Sequence, residues 1–153
     1  MKDLFYDNRG YVGTLFQIKN TNFEFVEDRI SKSKYGVIRG FHAEKYAHRE
    51  LSCIYGKFLL ITYDITTRKK QELILHENDS NIITISPYKL VAHQCLSDEC
   101  IMYYKWDQYY TGPNNQISII WNDKYINPQW ENIDPILSDR DINSISLKEY
   151  YEQ

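Results

Sequence analysis

No stretch of this 153-residue chain approaches the roughly 18 consecutive apolar residues of a membrane-spanning helix, and the N-terminus lacks the apolar core of a secretory signal. A basic excess is missing too. Eighteen Lys and Arg stand against 21 Asp and Glu, a net charge of −3, so the electrostatic footprint of a nucleic-acid binder is absent. Cysteine is scarce: Cys53, Cys95 and Cys100 are odd in number, and the step from Cys95 to Cys100 fits no zinc spacing. They read as buried thiols of a reducing compartment. Helical periodicity is weak, and no repeat, low-complexity segment or linker divides the chain. These absences point to a cytoplasmic protein with no nucleic-acid or membrane partner, built as one domain over residues 1–153.

What the chain has in quantity is aromatic surface, 15% of residues with 14 tyrosines. Tyrosine suits strands and interfaces, and it also lines grooves that stack bases or sugars. Strand-like runs dominate: Tyr11 to Ile18, Phe23 to Val26, Val37 to Phe41, Leu51 to Ile65, Glu72 to Leu75, Asn81 to Ile85, Leu90 to Gln94, Ile101 to Trp106 and Ile117 to Trp121. Within the long run, Gly56 is placed for a hairpin or bulge. Many short strands at close spacing predict a sandwich or barrel, and the tail from Ser146 reads as a short helix.

Gly36-Val37-Ile38-Arg39-Gly40-Phe41-His42 places an arginine and a histidine on one apolar strand. Residues at i and i+3 of a regular strand face opposite sides, so the two share a pocket only if Gly40 bends or bulges it. His42 alone reads first as a core histidine or structural hydrogen-bonder, and as a base only in the company of Arg39 and His93. A buried Arg39 would need an anion, either a protein carboxylate or a ligand phosphate. His93 ends another strand and is a candidate for the same pocket. Alternation sends one of Tyr103 and Tyr104 inward, and a buried phenol needs a partner or a use as a proton donor. Asp139-Arg140-Asp141 reads either as a solvated turn or as the source of a carboxylate behind a histidine.

His42, Glu44, His48, Glu50 and His93 are also residue types that bind divalent ions. The pattern partly resembles the first metal motif of cupins. However, Glu44 occupies the place of that motif's second histidine, and the Pro-x-Gly-x-x-His pattern is absent.

Asp7-Asn8-Arg9-Gly10, Gly36 to His42, the segment from Tyr104-Lys105 to Tyr109-Tyr110, Trp121-Asn122-Asp123 and Pro135 to Asp141 occur in an order that resembles the dTDP-4-dehydrorhamnose 3,5-epimerase family. The resemblance implies an all-β, cupin-type jelly roll (a double-stranded β-helix) with a short C-terminal helix. It implies a homodimer acting on a nucleotide-diphosphate 4-keto sugar, with no redox cofactor and no metal. On it, His42 is the catalytic base, Asp141 its paired carboxylate and Tyr104 the acid, with Tyr103 an adjacent rival. Arg9 is expected to reach the nucleotide across a dimer, and Arg39 to lie near phosphates or sugar. His93 and Tyr110 match pocket residues. Arg49, seven before Gly56, stands where the family has a lysine. Glu27, counted with the binding residues, and Arg29 stand where members usually carry Gln and Asn.

The chemistry so implied is removal of a proton from C3 or C5 of a 4-keto sugar, enolate formation and return of a proton to the opposite face. The context implied is deoxysugar and polysaccharide biosynthesis. Three other readings stay open. A nucleotide-deoxysugar 3,4-ketoisomerase shares a motif close to Arg39 to Lys45, a sugar-nucleotide-binding cupin would bind without catalysis, and a metal cupin oxygenase would show metal on analysis of the purified protein.

Overall fold

The computed structural model describes residues 4–8, 10–13, 24–79 and 81–153. Arg9 and most of the first expected strand lie outside them.

The strands are β1 (Leu4–Asp7), β2 (Gly10–Gly13), β3 (Glu27–Lys34), β4 (Ile38–Glu44), β5 (Arg49–Tyr55), β6 (Lys57–Asp64), β7 (Lys70–His76), β8 (Ile83–Ile85), β9 (Lys89–Cys95), β10 (Glu99–Trp106) and β11 (Gln116–Ser118). Two short helices follow, α1 (Asp139–Asn143) and α2 (Leu147–Tyr151). One antiparallel sheet runs β3-β10-β5-β8 and a second β11-β4-β9-β6-β7, while β1 and β2 pair as a separate hairpin. Two facing antiparallel sheets with two short C-terminal helices form the expected jelly roll.

Two stretches depart from the sequence reading. β3 lay outside every expected strand, and residues 24–26 carry no strand. The cause is its position. Among the described residues β3 is an edge strand, paired with β10 alone, and its sequence, Glu-Asp-Arg-Ile-Ser-Lys-Ser-Lys, holds one strongly apolar residue. Sheet edges favour charge, which erases the pattern. At Gly56 the chain makes no hairpin within a sheet. β5 pairs with β10 and β8, whereas β6 pairs with β7 and β9, so the chain changes sheets there. Gly56 has φ +75°, and a Cβ would collide with the Glu99 carbonyl oxygen.

The central strands of the five-stranded sheet, β4, β9 and β6, are buried on both faces. Phe58, Leu60, Val91 and Cys95 point between the sheets with Leu51, Met102 and Cys100. Leu59, Ile61, Leu90 and Ala92 point the other way, onto Ile117, Ile119, Ile126 and Leu147 of the C-terminal segment. Two buried faces explain why Phe58 to Ile61 is continuously apolar rather than alternating. All three cysteines are buried, and none is in a disulfide. Among the described residues, no helix is long and apolar enough to cross a membrane.

Asp123 fastens the C-terminal cover. It is 2% exposed. Its Oδ1 accepts from the Tyr125 and Ile126 amides at 2.9 and 3.0 Å, and Oδ2 accepts from the Leu147 amide at 2.8 Å, at the start of α2. Ser146 and Glu149 complete α2 with a capping box. Asp123→Ala leaves three amides without an acceptor and should cost about 3 kcal/mol. Thermal unfolding followed by circular dichroism should show a Tm lower by roughly 6–12 °C.

Candidate active site

Gly40 makes the site possible. The pairing of β4 with β9 slips between Arg39 and His42, and Gly40 sits in that slip at φ +118°. A side chain there would collide with the Val91 carbonyl oxygen and with Ala92. The slip is the bend that the Arg39/His42 spacing requires. Phe41 and Ala43 pack in the outer cluster, while Arg39 and His42 both line a cavity between the sheets.

That cavity, about 490 Å³, has walls from both sheets. From the five-stranded sheet come Arg39, His42, Val91 and His93; from the four-stranded sheet come Arg29, Arg49, Tyr104 and Trp106. Tyr110, Gln116 and the segment from Ile136 to Asp141 complete it.

The Asp141 segment reaches His42 by backbone stitching. Ile136 bridges Val37 in parallel, its carbonyl accepting from the Ile38 amide at 3.1 Å and its amide donating to the Gly36 carbonyl at 3.2 Å. Ser138 then caps α1 and donates to Asp141 Oδ2 at 2.7 Å. Asp141 Oδ1 lies 2.8 Å from His42 Nε2, with the Asp141 side chain 4% and the His42 side chain 21% exposed. The distance is that of a close polar contact, although the ring N–H does not align with the oxygen as a hydrogen bond requires. Burial alone would raise the Asp141 carboxyl. The His42 contact, Ser138 and the Gly40 amide outweigh it and hold the carboxyl below its ordinary value. The Asp139 to Asp141 cluster is therefore no solvated turn: its second aspartate is buried.

Tyr104 faces the cavity from the other sheet. Its hydroxyl lies 3.0 Å from Ser31 Oγ, and burial pushes the phenol up against the opposing pull of Ser31, Arg49 and Arg39. Tyr103 points to the opposite face, where Lys105 donates to its hydroxyl at 3.2 Å and pairs with Asp28 at 2.6 Å.

Four arginines line the cavity: Arg29, Arg39, Arg49 and Arg140. Arg39 is exposed rather than buried, and it donates to Ser33 Oγ and the Lys32 carbonyl. The buried arginine is Arg49, which donates to the His42 carbonyl at 3.3 Å and lies 3.9 Å from Glu44. Burial holds its guanidinium below the ordinary value, with Glu44 opposing. Arg140 donates to Ser118 Oγ. The Arg29 guanidinium lies 4.3 Å from the centre of the Tyr110 ring. Glu27 stands behind this wall rather than in it: it accepts from the Tyr110 amide at 2.8 Å and lies 3.6 Å from Arg29 Nε.

His93 is buried, and its Nε2 has no partner among the described residues. Burial, then the Arg39 and His42 charges, push its pKa down to about 3. The folded protein thus keeps His93 neutral where an unfolded histidine, near 6.5, would take a proton. Its contribution to stability is full above pH 6.5 and is lost as the pH falls through that value towards about 3. Denaturant midpoints measured across this range should decline, and the decline should flatten in His93→Asn.

The arginines at 29 and 140, Trp106 and Gln116 were not singled out as site residues from sequence. Trp106 had a legible signal, since it lies two residues beyond Tyr104 on the same strand face. The metal reading finds no support in the arrangement of side chains. His48 turns to Asp107, 2.9 Å from Nδ1, and no group of three His, Cys, Asp or Glu among the described residues could hold an ion.

A cavity with cations on most sides, a histidine–aspartate pair on one wall and a protonated phenol on the other is fitted to move protons on a bound anionic ligand. Such a site in a jelly-roll barrel defines a cupin of the isomerase kind. The chain belongs to the dTDP-4-dehydrorhamnose 3,5-epimerase family, which it matches over residues 1–149. It is 33% identical to the enzyme of that name from Shigella flexneri, over 92% of this chain and 84% of the relative. To the one from Methanothermobacter thermautotrophicus it is 30% identical, over 96% and 87%. The crystal structure of the Bacillus anthracis enzyme, with TDP and PPi bound, superposes with a TM-score of 0.87 at 25% identity, covering 95% of this chain and 90% of that one. The protein is thus an enzyme of the isomerase class, an epimerase of nucleotide-linked sugars.

Proposed function

We propose that the protein inverts C3, C5 or both in a nucleoside-diphosphate-linked 4-keto-6-deoxyhexose, dTDP-4-dehydrorhamnose or a close analogue, by proton transfer between His42 and Tyr104. The observation that carries this reading is their placement on facing sheets across one cavity, with Asp141 2.8 Å behind the histidine.

Asp141 lies against Nε2, and its charge favours the ring proton on that nitrogen, which leaves the lone pair on Nδ1. Nδ1 removes a proton from the carbon beside the carbonyl. The C–H electron pair becomes the enolate, and the negative charge settles on the carbonyl oxygen. Arg49 and His93 are the groups to stabilise that oxygen. Tyr104 then gives its proton to the opposite face of the carbon, the carbonyl re-forms, and the centre is inverted. The imidazolium and phenolate return to their starting states by exchange with solvent.

Arg39 and Arg140 have no carboxylate partner among the described residues, unlike Arg29 beside Glu27 and Arg49 beside Glu44. Two uncompensated guanidinium groups suit a diphosphate. The TDP of the Bacillus anthracis structure belongs to that protein, and it motivates the thymidine form as the first substrate to test. On the resemblance, we also assign one domain over residues 1–153 and a homodimer in which Arg9 reaches the nucleotide of the second copy.

The test is incubation in D₂O with dTDP- and GDP-linked 4-keto-6-deoxyhexoses, following C3–H and C5–H by NMR. Loss of either signal with inversion is expected and identifies the carbon. A carbonyl moved from C4 to C3 would instead establish a ketoisomerase, and binding without exchange a non-catalytic cupin.

A further inference from the structure

Glu44 is a buried carboxylate, 7% exposed, that the proton transfer itself does not use. One oxygen, Oε1, gathers two hydrogen-bond donors and a cation. It accepts from the Gln116 side-chain amide and, at 3.4 Å, from the Trp106 indole N–H, and it lies 3.9 Å from Arg49. Each of these three neighbours lines the cavity, while Glu44 does not. The Trp106 ring in turn stacks on Tyr104, with centroids 5.4 Å apart and planes 30° from parallel. Glu44 sits on β4 two residues beyond His42, and β4 belongs to the sheet opposite Tyr104. It therefore ties the histidine-bearing strand to the tyrosine-bearing one.

We propose that Glu44 is a positioning residue for the acid. By holding the Trp106 indole, it fixes the ring against which Tyr104 stacks, and so fixes the distance of the phenol from the carbon it must protonate. It simultaneously supplies the counter-charge that keeps the buried Arg49 guanidinium in place beside the cavity. A neutral amide cannot do both. Glutamine retains an oxygen for the indole but leaves Arg49 uncompensated, and a buried unpaired cation rearranges its surroundings.

The proposal rests on the epimerase reading, and its signature is a partition rather than a rate. A displaced Tyr104 lets His42 remove a proton and return a deuteron to the same face, so wash-in continues while inversion fails. The experiment compares deuterium wash-in with inversion at saturating substrate for the wild type, Glu44→Gln and Trp106→Phe, with thermal melts alongside. Phenylalanine keeps an aromatic ring for the stack and lacks the N–H, so it isolates the tether. The expected result in both variants is a wash-in to inversion ratio raised about fivefold or more, with KM within about threefold of wild type. An unchanged ratio in either folded variant overturns the proposal, whatever its melting temperature, because a purely structural carboxylate would lower stability and leave the partition alone. If Glu44→Gln fails to fold, Trp106→Phe decides. A wild type that neither exchanges nor inverts overturns the epimerase reading itself, and that outcome is visible before any variant is made.

Discussion

His42→Ala abolishes deuterium wash-in at the reacting carbon while leaving nucleotide binding nearly intact. The expected loss is about 10²–10⁴-fold, the range for removing a positioned general base. Nothing else in the cavity can substitute. His93 is held neutral, but it lacks a carboxylate partner and sits among the arginines, where a developing imidazolium would be repelled. Asp141 is acidified rather than basic, since its contacts outweigh the effect of burial. The companion variant, Asp141→Asn, keeps the shape and removes the charge that stabilises the imidazolium, and it should also be strongly impaired. NMR wash-in rates at fixed pH, with binding of dTDP followed by calorimetry, check both. Wild-type rates in the two variants would show that the pair at 2.8 Å is not the base. Asp141→Asn has a second readout. A carboxyl with a lowered folded pKa contributes stability above its unfolded value of 3.8, and that contribution is lost as the pH falls through the folded value. The variant should therefore lose the acid limb that this group adds to the stability profile.

Tyr104→Phe separates the two half-reactions. Phenylalanine preserves the stack on Trp106 and the van der Waals volume, and it removes the proton and the hydrogen bond to Ser31. His42 remains, so deuterium still enters the substrate, but without a donor on the other face inversion should fall by about 10²-fold or more. Wash-in should fall by much less. Tyr103→Phe should leave both rates near wild type, because that hydroxyl accepts from Lys105, itself paired with Asp28, on the far face of the sheet. If Tyr103→Phe blocks inversion instead, the acid is assigned to the wrong neighbour. The phenol is suited to the task at neutral pH, since burial raises it above its ordinary value and keeps it protonated.

Part of this site could be read from residue order alone. Gly40 between Arg39 and His42 signals a bulge, because no regular strand points residues three apart to one side. Alternation likewise requires one of two adjacent tyrosines to point inward, without saying which. The turn residues and apolar runs mark most of the strands, and Ser146 with Glu149 marks the last helix. β3 escaped detection because an edge strand is selected for charge rather than for alternation, and with it went Arg29. The sheet change at Gly56 escaped because β5 and β6 are both largely buried, so nothing in their burial tells one sheet from the other.

By itself, then, the sequence determined a β-rich chain, the bend at Gly40 and the residue types needed for proton transfer, since each depends on neighbours within a few positions. Only the tertiary structure decided which groups meet. Asp141 is ninety-nine residues from His42, and it arrives because Ile136 pairs with Val37. Tyr104 rather than Tyr103 faces the cavity because of the register of β10 with β3 and β5. Arg49, not Arg39, proved to be the buried cation, because burial depends on what the opposite sheet covers. Contacts across sheets are set by the packing of two surfaces, and no local pattern along the chain encodes that distance.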